Sequence, residues 1–78
     1  MLTRVQMARL RAGLRQADLG ALCGASKSVI SRYEHRLTRV DPEIARKIAR
    51  ILRIPVSEVR GPDGRAPKDE PQDVLAYR

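Results

Sequence analysis

Residues 16–35, QADLGALCGASKSVISRYEH, carry the reading that decides the fold. Leu19 and Cys23 stand four residues apart and Ile30 and Tyr33 three apart, spacings that put side chains on one face of a helix. Gly24 falls between the two pairs, where a chain leaving a helix abruptly needs a left-handed backbone that glycine adopts at little cost. Ser26 follows at the natural N-cap of a second helix, its hydroxyl placed to accept an orphan backbone N–H. The stretch reads as two short amphipathic helices meeting at a tight turn, with its lysine and arginine (Lys27, Arg32) in the second.

That arrangement is the helix-turn-helix pattern, in which the second helix is offered to the major groove of DNA. The rest of the composition agrees. A chain of 78 residues makes one domain, near the lower limit at which a hydrophobic core holds a fold without staples. The lone Cys23 cannot form an internal disulfide, so a reducing, cytoplasmic setting is expected, with Cys23 as a small buried hydrophobe. One Cys and one His cannot build a zinc site, so no metal is expected and no cofactor is implied. No acid–base–nucleophile constellation is present, which argues against an enzyme. No apolar run approaches the ~18 residues of a membrane span, and no signal peptide is visible. With no Trp or Phe and two Tyr, the core must be aliphatic and platforms for stacking single-stranded bases are missing. Double-stranded DNA is the expected partner.

Charge is unevenly spread. Residues 1–60 hold thirteen Lys or Arg against five acids, whereas residues 61–78 hold three against four. The positive charge thus belongs to the part with a folding pattern, as a phosphate-facing surface requires. Thirteen of the sixteen basic residues are arginine, a side chain suited to bidentate contact with phosphate or guanine, although a GC-rich genome would also favour it.

Five helices are predicted. The first runs from a Thr3 cap to Ala12, with Val5, Ala8 and Ala12 on one face and Gly13 ending it. The second and third cover about 16–23 and 27–33. Asp41-Pro42-Glu43 opens the fourth with a cap, a proline at its first position and an acid in its first turn. Ile44, Ile48, Ile51 and Leu52 form its apolar stripe, and Arg50 and Arg53 suit its C-terminal end. A short fifth helix spans about Val56–Arg60. From Gly61 the composition shifts to GPDGRAPKDEPQ, rich in proline and glycine, which predicts a flexible tail over 61–78 after a domain of residues 1–60. Val74–Tyr77 form a small apolar end, either frayed or a docking segment for a protein partner.

On Arg9, Gly13-Leu14, Gln16, Leu19, Gly24, Ser26, Ile30-Ser31, Glu34, Pro42 and Ile48-Ala49 with Leu52, the chain resembles the Cro and phage-repressor (Xre) class of helix-turn-helix proteins. The resemblance covers about residues 4–60. It implies an all-α, compact five-helix bundle of the lambda-repressor-like type, here followed by an irregular C-terminal tail. It also implies a small transcriptional repressor that binds its operator as a homodimer, two recognition helices lying ~34 Å apart. The sequence departs from the family at three places. Arg36 stands where a small residue or glycine is usual, Gly20 where alanine is commoner, and Arg15 where a hydroxyl often caps the second helix.

Lys27, Ser28 and Arg32 on the outward face of the third helix are the candidate base-reading residues, since Lys and Arg donate to guanine O6 and N7 and Ser pairs with several bases. Solvated polar residues on a surface helix would look the same. Candidate backbone contacts are Gln16, as the resemblance implies, Ser31 beside Arg32, and Arg36 and Arg39 in the following loop. By resemblance Arg9 pairs with Glu34 and locks the first helix to the end of the third. Leu37, Val40, Val56 and Val59 are candidates for a dimer interface or, equally, for closing the monomer's own core. An alternative function from another class is an antitoxin or adaptor that holds a partner protein through the tail.

Overall fold

The protein is described by a computed structural model covering residues 2–69. Five helices follow one another in this span: α1 (Arg4–Arg11), α2 (Gln16–Cys23), α3 (Lys27–Glu34), α4 (Pro42–Leu52) and α5 (Val56–Val59). Thr3 caps α1 by accepting from the Gln6 N–H at 3.4 Å, and its own hydroxyl donates to the Glu34 carbonyl at 3.1 Å. Ser26 accepts from the Val29 N–H at 3.1 Å at the start of α3, and Asp41 from the Glu43 N–H at 3.0 Å at the start of α4. At α2 no hydroxyl cap is present. Asp18, three residues into the sequence after Arg15, accepts from the Arg15 backbone N–H at 2.9 Å and from its guanidinium at 3.0 and 3.1 Å. Those bonds hold the Asp18 carboxyl below the usual carboxylate range.

The turns after α1, α2, α3 and α4 each place one residue in the left-handed region: Gly13 (φ +73°), Gly24 (φ +80°), Arg36 (φ +61°) and Arg53 (φ +57°). In each, the next N–H reaches back five residues, as in Leu14 to Arg9 at 3.1 Å and Leu37 to Arg32 at 2.9 Å, satisfying a terminal helix carbonyl. α3 therefore ends as a glycine-terminated helix would, without the glycine. The left-handed backbone costs an arginine on the order of 1–2 kcal/mol.

The core is aliphatic around a single tyrosine. Val5 and Ala8 of α1, Leu19 and Cys23 of α2, Ile30 and Tyr33 of α3, Ala45, Ile48 and Leu52 of α4 and Val59 of α5 are all buried in one cluster. Ala12, expected on the inward face of α1, is exposed, because the helix proper ends at Arg11. Gly20 of α2 faces the turn so closely that a Cβ there would sit 2.5 Å from the Ala25 carbonyl oxygen. Its departure from alanine is a packing requirement.

Residues 61–69 are irregular, but the flexible tail expected from Gly61 onward is corrected for this part. They form a strap that closes the bundle. Ala66 is fully buried in the core. The Val40 N–H donates to the Gly64 carbonyl at 2.9 Å, Arg4 N–H to Pro67 at 3.0 Å and Asp69 N–H to Leu2 at 3.0 Å. Thr3 and Lys68 meet in an antiparallel bridge. The packed unit runs to Asp69, past the boundary that composition suggested at 60.

Candidate nucleic-acid interface

α3 presents two faces of opposite character. Ile30, Tyr33 and Glu34 are buried, and the Tyr33 hydroxyl donates to the Val59 carbonyl, tying α3 to α5. Burial, with the Glu34 charge adding to it, pushes the Tyr33 hydroxyl far above its ordinary range, so it stays a donor. On the other face Lys27, Ser28 and Arg32 are exposed and Ser31 is half-buried. Ser28 and Arg32 are one turn apart, as are Lys27 and Ser31, which makes one continuous outward surface. None of the salt bridges among the described residues involves Lys27 or Arg32.

The back of this surface is held by Glu34, which is completely buried. Arg9 donates to it through Nε at 2.6 Å and Nη2 at 3.1 Å, and its Nη1 donates to the Leu14 carbonyl at 2.7 Å. Gln16, the first residue of α2 and half-buried, donates through Nε2 to Glu34 Oε1 at 3.0 Å. One carboxylate thus joins the middle of α1, the start of α2 and the end of α3. A buried charge is tolerated in a core when it is fully paired in this way.

The helix-turn-helix family matches residues 5–59, more than half of the chain. The chain belongs to the Cro/C1-type helix-turn-helix family. The DNA-binding domain of the P22 C2 repressor has a similar solution structure, with a TM-score of 0.66 and 26% identity over 78% of this chain and 80% of that one. No curated protein matches the chain. Family and fold are those of DNA-binding regulators. Among the described residues, no helix is long and apolar enough to cross a membrane.

Within this helix-turn-helix domain, several expected site residues occupy other places. Arg36 was a candidate backbone contact, but its Nε donates to the Ala66 carbonyl at 2.8 Å and its Nη2 to Asp63 at 2.9 Å. Its guanidinium secures the strap. Arg39, also exposed, donates through Nε to the Asp63 carbonyl at 3.1 Å, with its alkyl chain against Gly64. Of the four candidate interface residues, Val40 and Val59 are buried within the monomer, which removes them from any surface. Leu37 and Val56 are exposed, Leu37 at 72%. The apolar segment Val74–Tyr77, on which the adaptor alternative rested, lies outside the described residues.

Asp63 and Ala66 are the residues that sequence reasoning overlooked. Asp63 carries the strap's turn: its Oδ1 accepts from the Arg65 N–H at 3.0 Å, which holds its carboxyl below the usual range. The available signal was the Pro62-Asp63-Gly64 run, a turn sequence, opposite two arginines in the α3–α4 loop.

Proposed function

We propose that this protein is a sequence-specific binder of double-stranded DNA that represses transcription by occupying an operator as a homodimer. The observation that carries the reading is the outward face of α3, where Lys27, Ser28 and Arg32 stand exposed on a helix whose other face is anchored by Ile30, Tyr33 and Glu34. In this reading those three residues contact base edges, with Arg32 donating to a guanine. Gln16, Ser31 and the exposed part of Arg39 contact phosphates at the flanks. Leu37 and Val56, exposed apolar residues on the loop before α4 and at the start of α5, belong to the dimer contact. A formal net charge of +7 supplies the attraction to the duplex.

Selection of bound duplexes from a random pool, with the purified protein, tests the reading. It should enrich a near-palindromic motif. Binding to that motif should weaken steeply with salt, with a slope of log K against log salt of about −4 to −7 if roughly five to eight phosphates are neutralised per dimer. Failure to enrich any motif, together with a slope near zero, would overturn it.

A further inference from the structure

α4 carries a second basic surface, distinct from the face of α3. Its buried side is Ala45, Ile48 and Leu52. Its exposed side is Glu43, Arg46, Lys47 and Arg50, continued by Arg53 at the C-cap. At 3.6 residues per turn these side chains share one face. The single acid sits in the first turn, so the rest of the face is cationic. The contrast with the other arginines is informative. Arg9, Arg15, Arg36, Arg39 and Arg60 each donate to a carboxylate or carbonyl of the fold. Arg46, Lys47, Arg50 and Arg53 take part in none of the salt bridges among the described residues.

Like charges one turn apart, as at Arg46 and Arg50, destabilise a helix rather than support it. The helix dipole compensates Arg50 and Arg53 in the last turn but does nothing for Arg46 and Lys47 in the middle. Four cations along about 10 Å of helix axis have nearly the linear charge density of one DNA strand, which carries a phosphate every ~3.4 Å. None of the four is positioned beside an acceptor of the fold that would lend it base or peptide selectivity.

We infer that the outward face of α4 is a second, sequence-blind phosphate-binding surface that holds a duplex other than the one read by α3. The proposal rests on the reading that the protein works on duplex DNA. It adds that one molecule bridges two DNA segments, the first selected by sequence and the second by charge alone.

The test immobilises a duplex carrying the selected motif, loads it with protein, washes it, and adds a short fluorescent duplex of unrelated sequence. Wild-type protein should retain the second duplex, and retention should fall with added salt. The triple variant Arg46→Gln, Lys47→Gln, Arg50→Gln should retain at least tenfold less while selecting the same motif and melting normally. Should the triple variant fold poorly, Arg46→Gln and Arg50→Gln, made singly, should each lower retention about twofold to threefold. The inference is overturned if wild-type protein retains no second duplex, or if folded variants retain as much as wild type. Those results leave a selected motif intact, whereas absence of any motif is a failure of the underlying DNA-binding reading.

Discussion

Gln16 and Glu34 are joined by a 3.0 Å hydrogen bond that links the first residue of α2 to the last residue of α3. The two helices of the motif are thus fixed to each other at the ends farthest from the Gly24 turn, by the carboxylate that also takes both donors of Arg9. A half-buried amide at the edge of the outward surface and a fully buried ion pair behind it form one unit.

Glu34→Ala should therefore destabilise the fold strongly, although it removes a negative charge from a protein of net charge +7. Arg9 would be left with an uncompensated charge in a buried site, a loss of about 3–5 kcal/mol. Thermal melting reads the result. The double variant Arg9→Met, Glu34→Leu should recover much of the loss, because it removes both charges together. A neutral Glu34→Ala would mean that the pair is not what holds α1 to α3.

Gly20→Ala is a second test, and its sign is the informative part. In an open helix position alanine stabilises relative to glycine by up to ~1 kcal/mol. Here the new Cβ would meet the Ala25 carbonyl oxygen at 2.5 Å, and a backbone atom cannot swing aside as a flexible side chain does. Overpacking of this kind costs about 1–3 kcal/mol. A lower melting temperature is expected, and a higher one would show that the turn relaxes freely.

The helices and the faces of α2 and α3 were legible from local signals alone. Leu19, Cys23, Ile30 and Tyr33 are buried where their spacing put them, and the caps at Thr3, Ser26 and Asp41 lie at the expected boundaries. The strap was not legible, for a physical reason. It docks through backbone N–H and carbonyl groups, with Ala66 its one fully buried apolar side chain, and main-chain pairing leaves no trace in hydropathy. The left-handed turn at Arg36 was hidden in the same way. Its conformational cost is offset by bonds to Asp63 and Ala66, partners about thirty residues away that no local pattern announces.

Truncation after Arg60 should accordingly cost stability. It deletes Ala66 from the core, the acceptors of the Val40 and Arg4 N–H groups, and both partners of the Arg36 side chain. The shortened chain should melt well below one ending at Asp69. Equal melting temperatures would mean that residues 61–69 are dispensable, as composition alone suggested.

The Tyr33 hydroxyl provides a pH test. Its folded-state pKa is raised, chiefly by burial, so the folded protein holds a proton that the unfolded chain releases near pH ~10. The corresponding stability is fully present below that pH and is lost as pH rises above it. In a Tyr77→Phe background the tyrosinate absorbance reports Tyr33 alone. It should appear only together with loss of the helical circular dichroism signal. Ionisation of Tyr33 in a chain that remains helical would contradict its burial against Val59.

Arg32→Ala and Gln16→Ala separate base reading from positioning. Arg32 shares the exposed face of α3 with Ser28, and none of the described salt bridges includes it, so its guanidinium is available to a guanine edge. Removing it should weaken binding to the best site by ~1–3 kcal/mol, change random-sequence binding much less, and relax preference at one base position. Gln16 is different because its amide is already engaged with Glu34. Its loss should weaken binding to all sequences together, since phosphate contacts carry no sequence information, and should lower the melting temperature slightly as Glu34 loses a donor. Repeating the duplex selection with each variant decides the matter. If Arg32→Ala returned the wild-type motif unchanged, the outward face of α3 would not be what reads the bases.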